Sequence, residues 1–134
     1  MNILNGKIVE IKQSGALLLV KIENNNTLFT SIIIEDSEQN KQLEIGKNVR
    51  FSFKETEVII SKTSELKISL QNQIHCKVTA IAIGELLAEI TLNFNQQLIT
   101  SLITANACNQ LGLQVNDDVV ALIKTNEINI RTND

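Results

Sequence analysis

Along residues 7–12 polar and apolar side chains alternate, Lys7-Ile8-Val9-Glu10-Ile11-Lys12, with β-branched residues prominent, as a half-buried strand requires. The strand ends near Gln13-Ser14-Gly15. Residues 16–23 form a longer apolar run whose eight positions suit a buried strand better than a helix. Asn24-Asn25-Asn26 then predicts a tight turn, since asparagine tolerates positive φ, and residues 28–34 predict a third strand with Thr30-Ser31 in an apolar ribbon. Glu35-Asp36-Ser37-Glu38 has the acids and capping residue of a helix start, and the helix has room for only about two turns. Residues 49–53 and 57–61 supply two more strands around Lys54-Glu55-Thr56.

The pattern then repeats. Setting residues 1–64 on 71–134 without a gap gives 14 identities, Asn2, Lys7, Ile11, Leu17, Asn25, Leu28, Thr30, Ser31, Ile33, Leu43, Val49, Lys54, Glu57 and Ile60, each recurring at its number plus 70. Chance would give roughly one in sixteen, about four. The second copy predicts strands over 76–83, 86–93, 98–104, 119–123 and 127–131, and a helix over 105–111 closed by Gly112 in a left-handed turn. Residues 62–68 link the copies. The expected fold is all-β: two tandem five-stranded barrels like the oligonucleotide/oligosaccharide-binding (OB) fold, over 1–64 and 69–134, each with one short helix, because closure removes the edges so small a sheet would expose.

Each unit of about 65 residues lies near the lower size limit for a stable core, so self-association is expected. The net charge of −3 argues against a sequence-independent grip on nucleic acid, and four Phe with no Tyr or Trp offer few stacking platforms for bases. No apolar run reaches the length of a membrane span and the stretch 1–7 lacks the form of a signal peptide, so a cytoplasmic location without a membrane partner is expected. Cys76 and Cys108 read as reduced core cysteines. His75, the one histidine, adjoins Cys76, but neighbours on a strand face opposite ways, which makes a poor nucleophile relay. Asp117-Asp118 reads as a solvated bend. Nothing here forms a nucleotide loop or a catalytic constellation, and no enzyme is expected.

The second copy carries Ser69-Leu70-Gln71-Asn72-Gln73, Gly84-Glu85-Leu86-Leu87-Ala88-Glu89-Ile90, Ile99-Thr100-Ser101-Leu102-Ile103-Thr104, Leu111-Gly112-Leu113 and Ala121-Leu122-Ile123-Lys124-Thr125. In order and spacing these resemble the Mop domain, a TOBE-like unit with S-A-R-N-Q, G-A-V-N-A-E-V, L/I-T-S/A-x-I-T, L-G-L and A-x-I-K-A/S. The tandem is similar to the di-Mop molbindins, and more distantly to Mop pairs of molybdate-responsive regulators and transport ATPases. The resemblance implies intracellular storage of molybdate or tungstate, usually by a homotrimer, with ions held between barrel units.

Carried over residue by residue, the resemblance implies contacts from Ser69, from the backbone at Gln71 where the family has Arg, and from Thr100, Lys124 and Thr125. In copy one it implies Thr30 and Lys54. A tetrahedral dianion needs only convergent O–H and N–H donors and partial neutralisation by an ammonium. Glu55 stands where a small residue follows the lysine, and a carboxylate beside a dianion is repulsive, so Lys124 is expected to matter more than Lys54. A second reading, an oligomerisation or effector-sensing module derived from such a regulator or ATPase, separates from storage on titration with molybdate.

Overall fold

Strands form where the period-two pattern places them, and their buried faces are the apolar ones. The computed structural model describes residues 1–34 and 43–132. The helix expected near 35–38 lies outside the described residues. The strands are β1 (Asn2–Ser14), β2 (Leu17–Asn24), β3 (Thr27–Ile34), β4 (Asn48–Phe53), β5 (Ile59–Ser61), β6 (Asn72–Ile83), β7 (Leu87–Phe94), β8 (Gln97–Thr104), β9 (Asp118–Ile123) and β10 (Asn129–Thr132), with helix α1 (Ala105–Leu111) after β8. The molecule is all-β, built as two OB-like five-stranded units.

The turns are repeated in backbone as well as in sequence. Asn25 and Asn26 have φ of 47° and 67°, and Asn95 and Gln96 have 48° and 66°. Two consecutive positive φ values make the tight hairpin turn whose twist matches the strands it joins. Thr104 caps α1 by accepting from the Ala107 N–H at 3.0 Å, and Gly112 ends it at φ 61°.

The compact units are not the sequence repeats. One sheet has the order β10-β4-β1-β2-β3 and the other β5-β9-β6-β7-β8. Each unit therefore takes four strands from one repeat and its last strand from the other. The first unit is residues 1, 3–53 and 124–134, and the second is residue 2 with 54–123. The expected boundaries at 64 and 69 describe the duplication and not the bodies it folds into. Periodicity could not reveal this, because residues 59–61 and 129–132 carry like patterns and either suits either sheet edge.

A serine holds each incoming segment. The fully buried Ser31 on β3 donates to the Ile128 carbonyl at 2.8 Å, and Ser101 on β8 donates to the Val58 carbonyl at 2.7 Å. These carbonyls lie between a 3-10 turn and the final strand, so the repeated Thr-Ser pair owes its serine to this latch. The cores differ in how they fill one shared space. In the first unit Gly6 lies under the ring of Phe51, which stacks tilted on Phe29 at 4.9 Å between centroids. In the second, the matching positions are Cys76 and Ala121, both buried.

Candidate functional site

Lys54 and Lys124 stand at the two crossing points, each the first residue of the segment that joins the other unit. Both are exposed and extended, with φ/ψ of −73°/148° and −71°/145°, and each caps a single 3-10 turn, Glu55–Glu57 or Thr125–Glu127. In each turn the carbonyl of the lysine accepts from the backbone N–H of the repeated glutamate at 3.0 Å, Glu57 on Lys54 and Glu127 on Lys124. The glutamates thus lie in these turns and not at the strand starts expected, since β5 and β10 begin two residues later.

The turn after Lys124 packs on β3, the strand of Thr30, and the turn after Lys54 packs on β8, the strand of Thr100. The first unit therefore holds Thr30, Lys124 and Thr125. The second holds Lys54, Thr100, Ser69 and Gln71. This corrects the grouping by repeat, which put Lys124 and Thr125 with Thr100 and left Lys54 with Thr30. The physical reason is the crossing of the chain immediately before each lysine. Thr30 is buried on β3, Thr100 is half-buried on β8, and Ser69 and Gln71 are exposed ahead of β6.

Asn2 is a participant that the sequence marked only by its repetition. Its side-chain amide donates to the Thr100 carbonyl at 2.9 Å and accepts from the Thr100 N–H at 2.8 Å. Both main-chain groups of an edge-strand threonine are thereby satisfied, which fixes its backbone and the direction of its side chain. The 14 repeated identities thus include residues serving the Thr-Lys surroundings (Asn2, Ser31) as well as the candidates themselves.

His75 is exposed and Cys76 is buried, as alternation requires. Burial pushes the Cys76 thiol up to about 12, against a smaller opposing effect of a backbone hydrogen bond at Ala121. Cys108 is buried and unbridged as well. A cleft of about 330 Å³ in the second unit is lined by His75, Lys62, Lys77, Asn93 and Asp118 among others. Lys62 pairs with Asp117 at 3.5 Å and Lys77 with Asp118 at 3.3 Å, so the cleft neutralises its own cations.

Residues 68–130 match the TOBE domain family. The match covers most of the second repeat, and the tandem arrangement of the two repeats is consistent with a Mop-type architecture. It is similar in structure to the cytoplasmic molybdate-binding protein ModG in a molybdate-bound form, with a TM-score of 0.92 and 25% identity over 98% of this chain and 95% of that one. In sequence it is 29% identical over 117 residues to the molybdenum import ATP-binding protein ModC of Pasteurella multocida and 27% identical over 110 residues to the molybdenum transport protein ModE of Azotobacter vinelandii. The matches take in 84% and 81% of this chain but 33% and 40% of those proteins, so the chain spans well under half the length of either. No helix among the described residues is long and apolar enough to cross a membrane.

Proposed function

We propose that the chain binds and stores molybdate or tungstate in the cytoplasm, without catalysing a reaction. The observation that carries this is the match to molybdate-bound ModG over nearly the whole of both chains, which takes in both repeats. The donor set suits the ion. The first unit contains Lys124, Thr125 and Thr30, with the turn after Lys124 packed on the strand of Thr30, and the second contains Lys54, Thr100, Ser69 and Gln71, with the turn after Lys54 packed on the strand of Thr100. Hydroxyls, backbone N–H groups and one positive charge hold a dianion without neutralising it fully, so it can be released. Molybdate and tungstate present the same four oxygens at nearly the same size, and both are expected to bind.

A homotrimer is part of the proposal. Leucines repeated in both copies stay exposed: Leu17 and Leu87 at 50% each, Leu28 at 54% and Leu98 at 66%. Apolar surface recurring at matching positions fits contact with other copies of the chain. Calorimetry with molybdate, tungstate and sulfate, with the mass measured by light scattering, tests the reading. Binding of the first two by a trimer is expected. A monomer that takes up neither would refute storage and favour the effector-module reading.

A further inference from the structure

We propose that the first unit carries a second anion site, for a phosphate-class oxyanion, between Arg50 and Arg131. These are the two arginines of the chain, and β4–β10 pairing sets them directly opposite each other. Their neighbours Phe51 and Ile130 are buried in the barrel, so both guanidinium groups project from its outer face. Like charges directly opposite on paired strands destabilise the pairing. Neither arginine has an ion-pair partner among the described residues.

What the two arginines border is a cavity of about 70 Å³, lined by Met1, Ile3, Phe51 and Ser52 besides Arg50 and Arg131. Ser52 is 5% exposed, and its Oγ is buried without a hydrogen-bond partner. A buried hydroxyl left unsatisfied is uncommon and points to a missing partner. Two planar forks with five N–H donors each and one hydroxyl, with no carboxylate among the described lining residues, make a site for a compact anion with several acceptor oxygens. A liquid water occupies about 30 Å³, so the space suits one tetrahedral ion or phosphoryl group but not the rest of a nucleotide.

The anion would also have a structural effect. Arg50 is on a strand of the first repeat and Arg131 on the strand that arrives from the second, so an ion shared between them ties β10 to β4. Their counterparts at 120 and 61 are Val120 and Ser61, so the second unit has no such site. This inference is independent of molybdate storage, which uses Lys124, Lys54 and the threonines.

The test titrates the full chain with inorganic phosphate and with methyl phosphate, at ionic strength held constant by chloride, by calorimetry and by thermal unfolding. Expected are one binding event per chain and a rise in Tm. Arg50→Gln and Arg131→Gln should each weaken phosphate at least tenfold and abolish the rise, Ser52→Ala should weaken it several-fold, and molybdate binding should be unchanged in all three. Without phosphate, Arg131→Gln should melt no lower than wild type, because it removes a repulsion; this separates site loss from misfolding. Arg131→Lys, which keeps the charge but not the fork, should recover only part of the affinity. Uptake of both probes identifies a phosphoryl site, and uptake of inorganic phosphate alone a free-ion site; either supports the proposal. It is overturned if wild type gains nothing from phosphate beyond the chloride control, if Arg131→Gln keeps the full gain, or if phosphate binds only in competition with molybdate and without regard to the arginines.

Discussion

Substituting Gly6 by Cys gives the first unit the residue that the second has at the same place, and it should be strongly destabilising. A Cβ at Gly6 would overlap Ile22 Cγ2 and would lie 2.9 Å from the Glu23 carbonyl oxygen and 3.2 Å from the Phe51 ring. A main-chain oxygen in a paired strand cannot step aside, so the cost belongs at the upper end of overpacking, about 2–3 kcal/mol. At roughly 4 °C per kcal/mol for a chain of this size, Tm should fall by about 8–12 °C. Phe51→Ala alone empties the space of a fully buried ring that stacks on Phe29, a loss of about 3–5 kcal/mol. In the double variant the cysteine would enter the space the ring vacates, as Cys76 does beside Ala121, and the combined cost should be about 1 kcal/mol below the sum of the two. The chain has no Trp or Tyr, so unfolding is best followed by far-UV circular dichroism, at one protein concentration because self-association shifts Tm. A Gly6→Cys midpoint within about 2 °C of wild type, or strict additivity, would refute the account of how the two cores divide one volume.

The other expectations follow from single contacts. Lys124→Ala should weaken molybdate ten- to a hundredfold, on the basis of about 1.5–3 kcal/mol for a charge-assisted hydrogen bond, and Thr100→Val about fivefold; calorimetry in which Lys124→Ala leaves binding intact would refute the assignment. Ser31→Ala leaves the Ile128 carbonyl without its donor and should destabilise by about 1–3 kcal/mol in urea unfolding, with Ser101→Ala doing the same at Val58. The Cys76 thiol is raised from 9.0 to about 12 on folding, so its contribution to stability is complete below pH 9 and is lost as pH rises towards about 12, where only the unfolded chain readily gives up the proton. Alkylation of Cys76 at pH 8 should accordingly require unfolding, and prompt labelling of the native protein would contradict its burial.

How much of this was present in the chain itself can be judged residue by residue. Alternation marked the strands, although β1 and β6 begin five and four residues before the expected starts at 7 and 76, the Asn24–Asn26 run marked a turn with two positive φ values, and Gly112 marked the end of a helix whose observed bounds are those expected. These are local matters, decided by side-chain period and by which residues tolerate a left-handed backbone. The repeat of 70 residues was legible for the same reason, and with it the candidates Thr30, Thr100, Lys54 and Lys124. Which threonine shares a unit with which lysine was decided only in three dimensions. Residues 59–61 and 129–132 present nearly the same face to either sheet, so local preference is indifferent between folding back and crossing over. The choice is settled by long-range pairing with β4 or β9 and by the serine latches, which no window along the chain contains. The Arg50–Arg131 pair, too, arises solely from that crossing: two residues 81 positions apart become opposite neighbours when the last strand joins the first unit.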